Sequence, residues 1–194
     1  ALMDVRSLKD WEEIYQKLVH WEVELDAIDS SGMVEILEMQ KSEANSQFFK
    51  YVKGNYEGWL KDGDEKPVLS HTLMKEKVFP HLTASKPSFF ILIDNLRYDQ
   101  WKILQPIVEE WFKVEEESTF CSILPTATQY SRNSIFSGLT PLDLSKRFPH
   151  LWKNDHEEGG KNLHEKEFLE DQLQRLGLGG KKYAYHKVVK KQYG

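Results

Sequence analysis

Asp94 and Thr128 are the two residues whose type and position point most directly to chemistry. Asp94 ends the unbroken apolar run Phe89–Ile93, which predicts a strand buried on both faces of a parallel sheet. An acidic group at the carboxyl end of such a strand lies where open α/β sheets bind ligands. Thr128 follows Pro125 and opens a segment with helix-like spacing, so we expect its hydroxyl beside backbone N–H groups that bind anions.

The chemistry expected of this pair is metal-assisted phosphoryl transfer. A threonine hydroxyl is a weak nucleophile at neutral pH unless a base or a metal lowers its pKa. A divalent ion held by Asp94 and by the Thr128 oxygen would stabilise the alkoxide and the charge on the transferring phosphoryl group. Arg132 and Asn133, one turn further on, are candidates for binding the non-bridging oxygens of a substrate. A structural alternative stands beside this hypothesis, because such threonines are commonly N-caps and such aspartates turn residues.

The elements needed to position these residues are those of a parallel sheet covered by helices. Apolar spacing predicts a helix over 98–111, a second buried strand over 120–124 and a helix from Thr128 to near Gly138. Strand, helix, strand, helix is the order of an α/β sheet with right-handed crossovers. Beyond it, the pattern predicts a helix over 166–176 and a further strand over 183–189.

Residues 1–60 predict a small helical bundle upstream of the sheet. Apolar residues recur there at alternating spacings of three and four, namely Trp11, Ile14, Leu18, Trp21, Leu25 and Ile28. This seam is typical of a dimerising coiled coil, but its shortness favours packing within a bundle. A polar Asp-Gly segment closed by Pro67 predicts a linker. We therefore expect a linking or dimerising bundle at 1–60, a linker with a connecting helix at 61–86 and an α/β domain at 87–194.

Composition excludes several classes of protein. The chain has 194 residues, 40% of them apolar, and a net charge of −5, which gives no global case for wrapping nucleic acid or binding an anionic membrane. No apolar run approaches the roughly 20 residues that span a bilayer. The single cysteine, Cys121, excludes an intramolecular disulfide framework and suits a reducing compartment. We predict a cytoplasmic protein without membrane insertion.

Other catalytic motifs do not occur in the sequence. It has no Gly-rich phosphate loop with its Lys, no Cys/His pairs at structural-zinc spacing and no Gly-x-Ser-x-Gly elbow. A receiver-type phosphoacceptor is the serious alternative for Asp94, since it follows an apolar strand. That alternative requires paired acidic residues at the end of an earlier strand, and the sequence before Ser88 offers none.

Two stretches resemble one family. Ile-Asp-Asn-Leu-Arg-Tyr-Asp-Gln-Trp at 93–101 and Leu-Pro-Thr-Ala-Thr-Gln-Tyr-Ser-Arg-Asn-Ser-Ile-Phe-Ser-Gly at 124–138 are similar to the start of a PglZ domain, a branch of the alkaline phosphatase superfamily. The likeness continues through Arg147-Phe148-Pro149, 152–155 and 159–163. It covers roughly Trp59 to the end, and the upstream helices resemble the middle bundle of response regulators that carry this domain.

The resemblance implies a fold and an activity. The expected fold is α/β, with the helical bundle followed by the first half of an alkaline-phosphatase-like sandwich and its mainly parallel sheet. The implied activity is a zinc-dependent phosphodiesterase acting on oligonucleotides, as effector of a two-component regulator of type IX secretion. Asp94 matches the first metal-ligand Asp and Thr128 the metal-bound nucleophile, with Thr126 as the fallback. Two zinc ions are implied for the intact protein. The implied partners are a sensor histidine kinase and secretion or transcription components.

The sequence departs from the family at two points. Neither the Asp-x-x-x-His nor the Asp-His-Gly ligand element occurs before Gly194, and the 194 residues include no receiver domain. We therefore expect part of a longer protein that is inactive by itself and binds zinc weakly or not at all. The alternative function is an interaction and dimerisation module in which catalysis is secondary. Unpaired strand edges would also favour a homodimer formed by strand exchange.

Overall fold

The computed structural model describes residues 5, 7–26, 31–61, 66–83, 85–154 and 156–188. Its α-helices are Leu8–Asp26 (α1), Ser31–Leu60 (α2), Tyr98–Glu109 (α3), Thr128–Ser137 (α4), Pro141–Arg147 (α5) and Glu165–Arg175 (α6). A π-helical turn at Met74–Val78 and a 3-10 turn at Phe79–His81 lie between α2 and α3 in the sequence. The chain forms two compact units: unit 1 comprises Ala1–Pro67 and Ile91–Thr119, and unit 2 comprises Val68–Phe90 and Phe120–Gly194.

In unit 1, α1 and α2 form an antiparallel pair. The Trp11 ring lies 5.3 Å from Phe48 and 6.1 Å from Tyr51, while Lys41 donates to Glu22 at 2.6 Å. Trp11, near the start of α1, therefore contacts the second half of α2, whereas Glu22, near the end of α1, contacts Lys41 in the first half of α2. Ser7 caps the N-terminus of α1, since its hydroxyl accepts a hydrogen bond from the Asp10 N–H at 3.2 Å.

The predicted seam on α1 is only partly buried. Trp11 and Leu25 are each 7% exposed, whereas Trp21 is 51% exposed and Val19, outside the seam, is 6% exposed. Ile28 lies outside the described residues. Near the middle of α1, the buried face of the helix therefore does not coincide with the predicted seam.

A polar cluster joins α3 to the extended segment that follows it in unit 1. Glu117 accepts from the Tyr98 hydroxyl at 2.6 Å, the Trp101 indole N–H at 3.0 Å and the Lys102 ammonium at 3.2 Å. Burial raises the pKa of Glu117, but these hydrogen bonds outweigh it and hold the pKa below its usual value. The same segment reaches α1 through a hydrogen bond from Thr119 to Glu12.

The predicted parallel sheet, and with it the α/β sandwich, is wrong. The described residues contain no sheet, and their one recorded parallel bridge, Leu69 with Cys121, is isolated. The run Phe89–Ile93 forms no strand and is largely exposed, with Phe89 86% and Ile91 78% exposed. Nor do residues 183–188 form a strand, while Val189 lies outside the described residues.

The pairing of residues 120–124 gives the physical reason. The Cys121 N–H donates to Val68 O at 2.9 Å, and the Ile123 N–H donates to the Ser70 hydroxyl at 3.0 Å. A side chain thus replaces the backbone carbonyl that would have continued a ladder. An apolar run indicates what a segment could bury, but it does not specify which segment lies beside it.

In unit 2, α4 and α6 pack around an apolar core. Its most buried side chains are those of Leu69, Met74, Ile123, Leu144 and Phe168. The Phe148 and Phe168 rings lie 5.3 Å apart, which places the end of α5 against α6. None of the described helices has the length and apolar composition needed to cross a membrane.

Candidate functional site

Thr128 is the first residue of α4. The N-cap is Ala127, whose side chain has no hydroxyl, so Thr128 does not take the N-cap position that its residue type also allowed. The first helical hydrogen bonds are donated by the N–H groups of Tyr130 and Ser131 to Ala127 O, at 2.9 and 3.0 Å. Thr128 therefore lies at the N-terminal end of α4, where an anion is favoured.

The body of α4 is buried although it is polar. Its buried polar residues are Gln129, Ser131, Asn133, Ser134 and Ser137. The Ser131 hydroxyl lies 2.9 Å from that of Ser70 and 2.5 Å from that of Ser122. These hydroxyl contacts connect α4 to both segments that form the isolated bridge. These contacts pair the Ser131 hydroxyl, whereas Ser134 Oγ is buried with no hydrogen-bond partner among the described residues.

The C-terminal end of α4 is fixed by side chains of α6. The buried Gln172 amide donates to Ile135 O at 3.1 Å and to Phe136 O at 2.8 Å, and the Arg175 guanidinium donates to Ser137 O. Gly138 ends the helix in the left-handed conformation with φ 63°. The last carbonyl groups of α4 are thus satisfied from α6.

Arg132 and Asn133, the predicted substrate-binding residues, face protein groups of unit 2. Arg132 Nε lies 2.5 Å from Oε1 of Glu165, and the two side chains are 16% and 1% exposed. The Asn133 amide donates to Lys161 O at 2.9 Å, while its Oδ1 is buried with no hydrogen-bond partner in the part of the chain that the structure describes. A role for either residue in binding substrate stays a prediction.

Asp94 lies in unit 1, whereas Thr128 lies in unit 2, and the structure describes the two units separately. Asp94 is exposed, and Asn95 beside it has φ 61° in a turn before α3. Within the described ranges, no group of three or more His, Cys, Asp or Glu side chains is arranged to hold a metal ion. Because a catalytic zinc usually keeps three protein ligands, the described residues do not fit a complete zinc site.

Sequence reasoning missed Glu165 and Gln172. Both are 1% exposed, although Glu and Gln rarely occupy a helical interior. With Phe168, they recur at spacings of three and four, which is the period of a buried helix face. This spacing could have identified Glu165 and Gln172 as buried if polar residues had been considered together with apolar ones.

Two models of known protein families match the chain. Residues 73–192, more than half of the chain, match the BREX system PglZ alkaline phosphatase-like domain. The chain belongs to the PglZ family. Residues 1–60 match the PorX response regulator linker domain, so the PglZ segment follows the linker as in a PorX-type response regulator. Asp94 and Thr128 both lie within the PglZ match. No match was found among curated proteins.

Proposed function

We propose that this PglZ chain belongs to a phosphodiesterase that serves as the effector of a response regulator, with Thr128 as the nucleophile. Family membership supports the alkaline phosphatase-like class, and the linker match supports the regulator. The observation that carries the proposal is the position of Thr128, which is half-buried at the N-terminal end of α4. Oligonucleotides are the proposed substrates and type IX secretion the proposed pathway.

The two ends of α4 differ in a way that suits an anionic substrate. The carbonyl end is bonded to Gln172 and to the positively charged Arg175. The amide end begins at Thr128 and carries the positive end of the helix dipole. Charge that develops on a phosphoryl group beside Thr128 would therefore meet backbone N–H groups already held in place.

The proposed reaction has two displacements at phosphorus. Thr128 Oγ forms a bond to phosphorus while the bond to the leaving-group oxygen breaks, the hydroxyl proton passes to solvent and the leaving group takes a proton from solvent. Water then attacks the phosphodiester that now joins Thr128 Oγ to the remaining part of the substrate, releasing the Thr128 hydroxyl and a phosphomonoester. Zinc remains a proposal from the family resemblance, and no step is derived through it.

The Thr128→Val substitution tests the nucleophile in the full-length protein. We expect kcat for bis(p-nitrophenyl) phosphate to fall by roughly 10³-fold or more, since nucleophile removal has effects of this size. Thr126→Val is the matched control, because it removes the neighbouring hydroxyl of the same Pro-Thr-Ala-Thr sequence. Circular dichroism verifies the fold of both variants. Unchanged turnover in Thr128→Val, or loss only in Thr126→Val, would refute the assignment.

A second candidate function is protein interaction through α1 and α2. Apolar side chains remain outward-facing there, with Trp21 51%, Ile36 53% and Met39 65% exposed. A homodimer, a sensor histidine kinase and secretion or transcription components are the proposed partners. Interaction is compatible with catalysis by unit 2, because these residues belong to unit 1.

A further inference from the structure

The second half of α3 carries a line of exposed apolar side chains, which we call the α3 ridge. Ile103, Ile107 and Trp111 are four residues apart, and they are 60%, 57% and 80% exposed. The C-cap, Glu110, keeps the helical conformation, so Trp111 continues the line just past the end of the helix. Residues four apart lie one above the other, which makes the ridge about 12 Å long. Leu104, beside the ridge, is 41% exposed.

The opposite side of α3 is the one that contacts the rest of unit 1. Tyr98, Trp101 and Lys102 all donate to Glu117, and the Tyr98 ring lies 5.7 Å from that of Tyr15 on α1. A surface helix normally turns its apolar side inward and its polar side to solvent, and α3 does the reverse. Exposed apolar patches of this kind mark interaction sites in folded proteins.

The C-terminal end of the ridge opens into a cleft that suits a cation. The cleft has a volume of about 380 Å³ and is lined by residues 109–114. Glu109 accepts from the neutral Gln105 amide at 3.0 Å, and neither Glu109 nor Glu110 forms an ion pair within the described ranges. Against these two carboxylates the lining supplies one cation, Lys113.

Two further features add to the attraction for positive charge. The negative end of the α3 dipole lies here, and the last turn of the helix contains no basic residue. The exposed indole of Trp111 offers its face to an ammonium or guanidinium group. The cleft therefore fits a lysine or arginine side chain.

The shape and the charge together indicate the occupant. A ridge of residues four apart packs into the groove of a second helix. An amphipathic helix with Lys or Arg beside its apolar face would cover the ridge and place a cation in the cleft. A second copy of α3 is a poor match, because its Arg97 and Lys102 already contact Asp99 and Glu117 and its ridge ends in the same two glutamates.

We propose that the α3 ridge and the cleft at 109–114 bind a basic amphipathic helix of a partner protein. Trp111 is the anchor that the partner buries, and Glu109 and Glu110 select for its lysine or arginine side chains. The surface belongs to unit 1 and does not involve Thr128, so the proposal is independent of the proposed catalysis.

Three synthetic peptides of about 18 residues test the proposal by calorimetry with the full-length protein. The first has Leu at helical spacing and Lys elsewhere, the second has Glu in place of Lys, and the third has the composition of the first in an order without an apolar face. We expect only the first to bind, and hydrogen exchange should show protection at 98–114.

Variants of exposed residues locate the binding energy. Trp111→Ala should weaken binding of the first peptide about tenfold or more, as for an interface anchor. Glu109→Gln combined with Glu110→Gln should weaken it about threefold at low salt and less at high salt. Phe49→Ala is the matched control, because this aromatic residue of α2 is 65% exposed. Circular dichroism verifies the fold of each variant.

Several results would overturn the proposal. They are no binding of the first peptide, equal binding of the acidic one, protection outside 98–114, or a loss in Phe49→Ala that equals the loss in Trp111→Ala. A dimer in sedimentation that Trp111→Ala abolishes would assign the ridge to a second copy instead. Binding to phosphatidylcholine vesicles that Trp111→Ala abolishes would assign it to a lipid surface.

Discussion

Replacing Gly138 by Ala should loosen the C-terminal end of α4. Gly138 has φ 63°, a conformation that L side chains rarely adopt, and an added Cβ would lie 2.7 Å from Cδ of Gln172. The far end of a glutamine can move, so the clash itself is avoidable. Its movement would nevertheless break the hydrogen bonds from the Gln172 amide to Ile135 O and Phe136 O, because that side chain is fully enclosed.

The expected cost combines two effects. Placing a residue with Cβ in the left-handed conformation costs about 1–2 kcal/mol. Each lost hydrogen bond of Gln172 adds about 1 kcal/mol, and a carbonyl left unsatisfied raises this figure. We therefore expect Gly138→Ala to destabilise α4 by about 3–4 kcal/mol.

Gly177→Ala provides the matched control. Gly177 has φ 72°, but no atom of the described residues lies within 4 Å of an added Cβ, so only the backbone cost applies. Hydrogen exchange of α4 peptides, followed by mass spectrometry, measures the local free energy of opening. Hydrogen exchange of the α6 peptides measures the loss in Gly177→Ala, and an equal loss at α4 in Gly138→Ala would refute the role of Gln172.

Two further predictions concern α6 and α1. Burial raises the pKa of Asp171, but hydrogen bonds from Arg147 and Arg175 outweigh it and lower the pKa below its usual value. Asp171→Asn should therefore lower the stability above the unfolded-state pKa of about 3.9, and this loss should disappear as the pH falls through the lower folded-state pKa. Urea unfolding of both proteins at several pH values measures the difference. A difference that does not depend on pH contradicts the prediction. Trp11→Ala should destabilise unit 1 by about 3–5 kcal/mol. Trp21→Glu should cost about 0.5 kcal/mol or less and should abolish any self-association seen in sedimentation. An oligomer that Trp21→Glu leaves unaffected would contradict the interaction hypothesis.

Local sequence signals predicted α4 and α6 closely, whereas α5 was not predicted. The helix expected from Thr128 to near Gly138 is Thr128–Ser137, and the one expected over 166–176 is Glu165–Arg175. Both end at glycines with positive φ, Gly138 and Gly177, whose conformation is determined within a few residues. Helix boundaries of this kind need no knowledge of distant segments.

The sheet and the polar interior could not be predicted in the same way. Segment 120–124 is apolar, but its recorded backbone partner is Val68, more than fifty residues earlier, and Ser70 receives the next N–H. The ion pair of Arg132 with Glu165 likewise joins residues 33 positions apart. Such partners depend on the tertiary arrangement, which apolar spacing does not encode. The roles of Asp94, Thr128, Arg132 and Asn133 stay predictions.

The two compact units are interleaved along the chain, and this affects how the protein can be synthesised and divided. Unit 1 needs Ile91–Thr119, although residues 73–192 match the PglZ family and only residues 1–60 match the linker domain. The contact between the Tyr15 and Tyr98 rings, 5.7 Å apart, therefore has to wait until the ribosome has passed residue 98. Closing so long a loop costs chain entropy and slows folding. A fragment cut at the family boundary would deprive unit 1 of α3, so the two families matched in sequence are not two separable pieces of the folded chain.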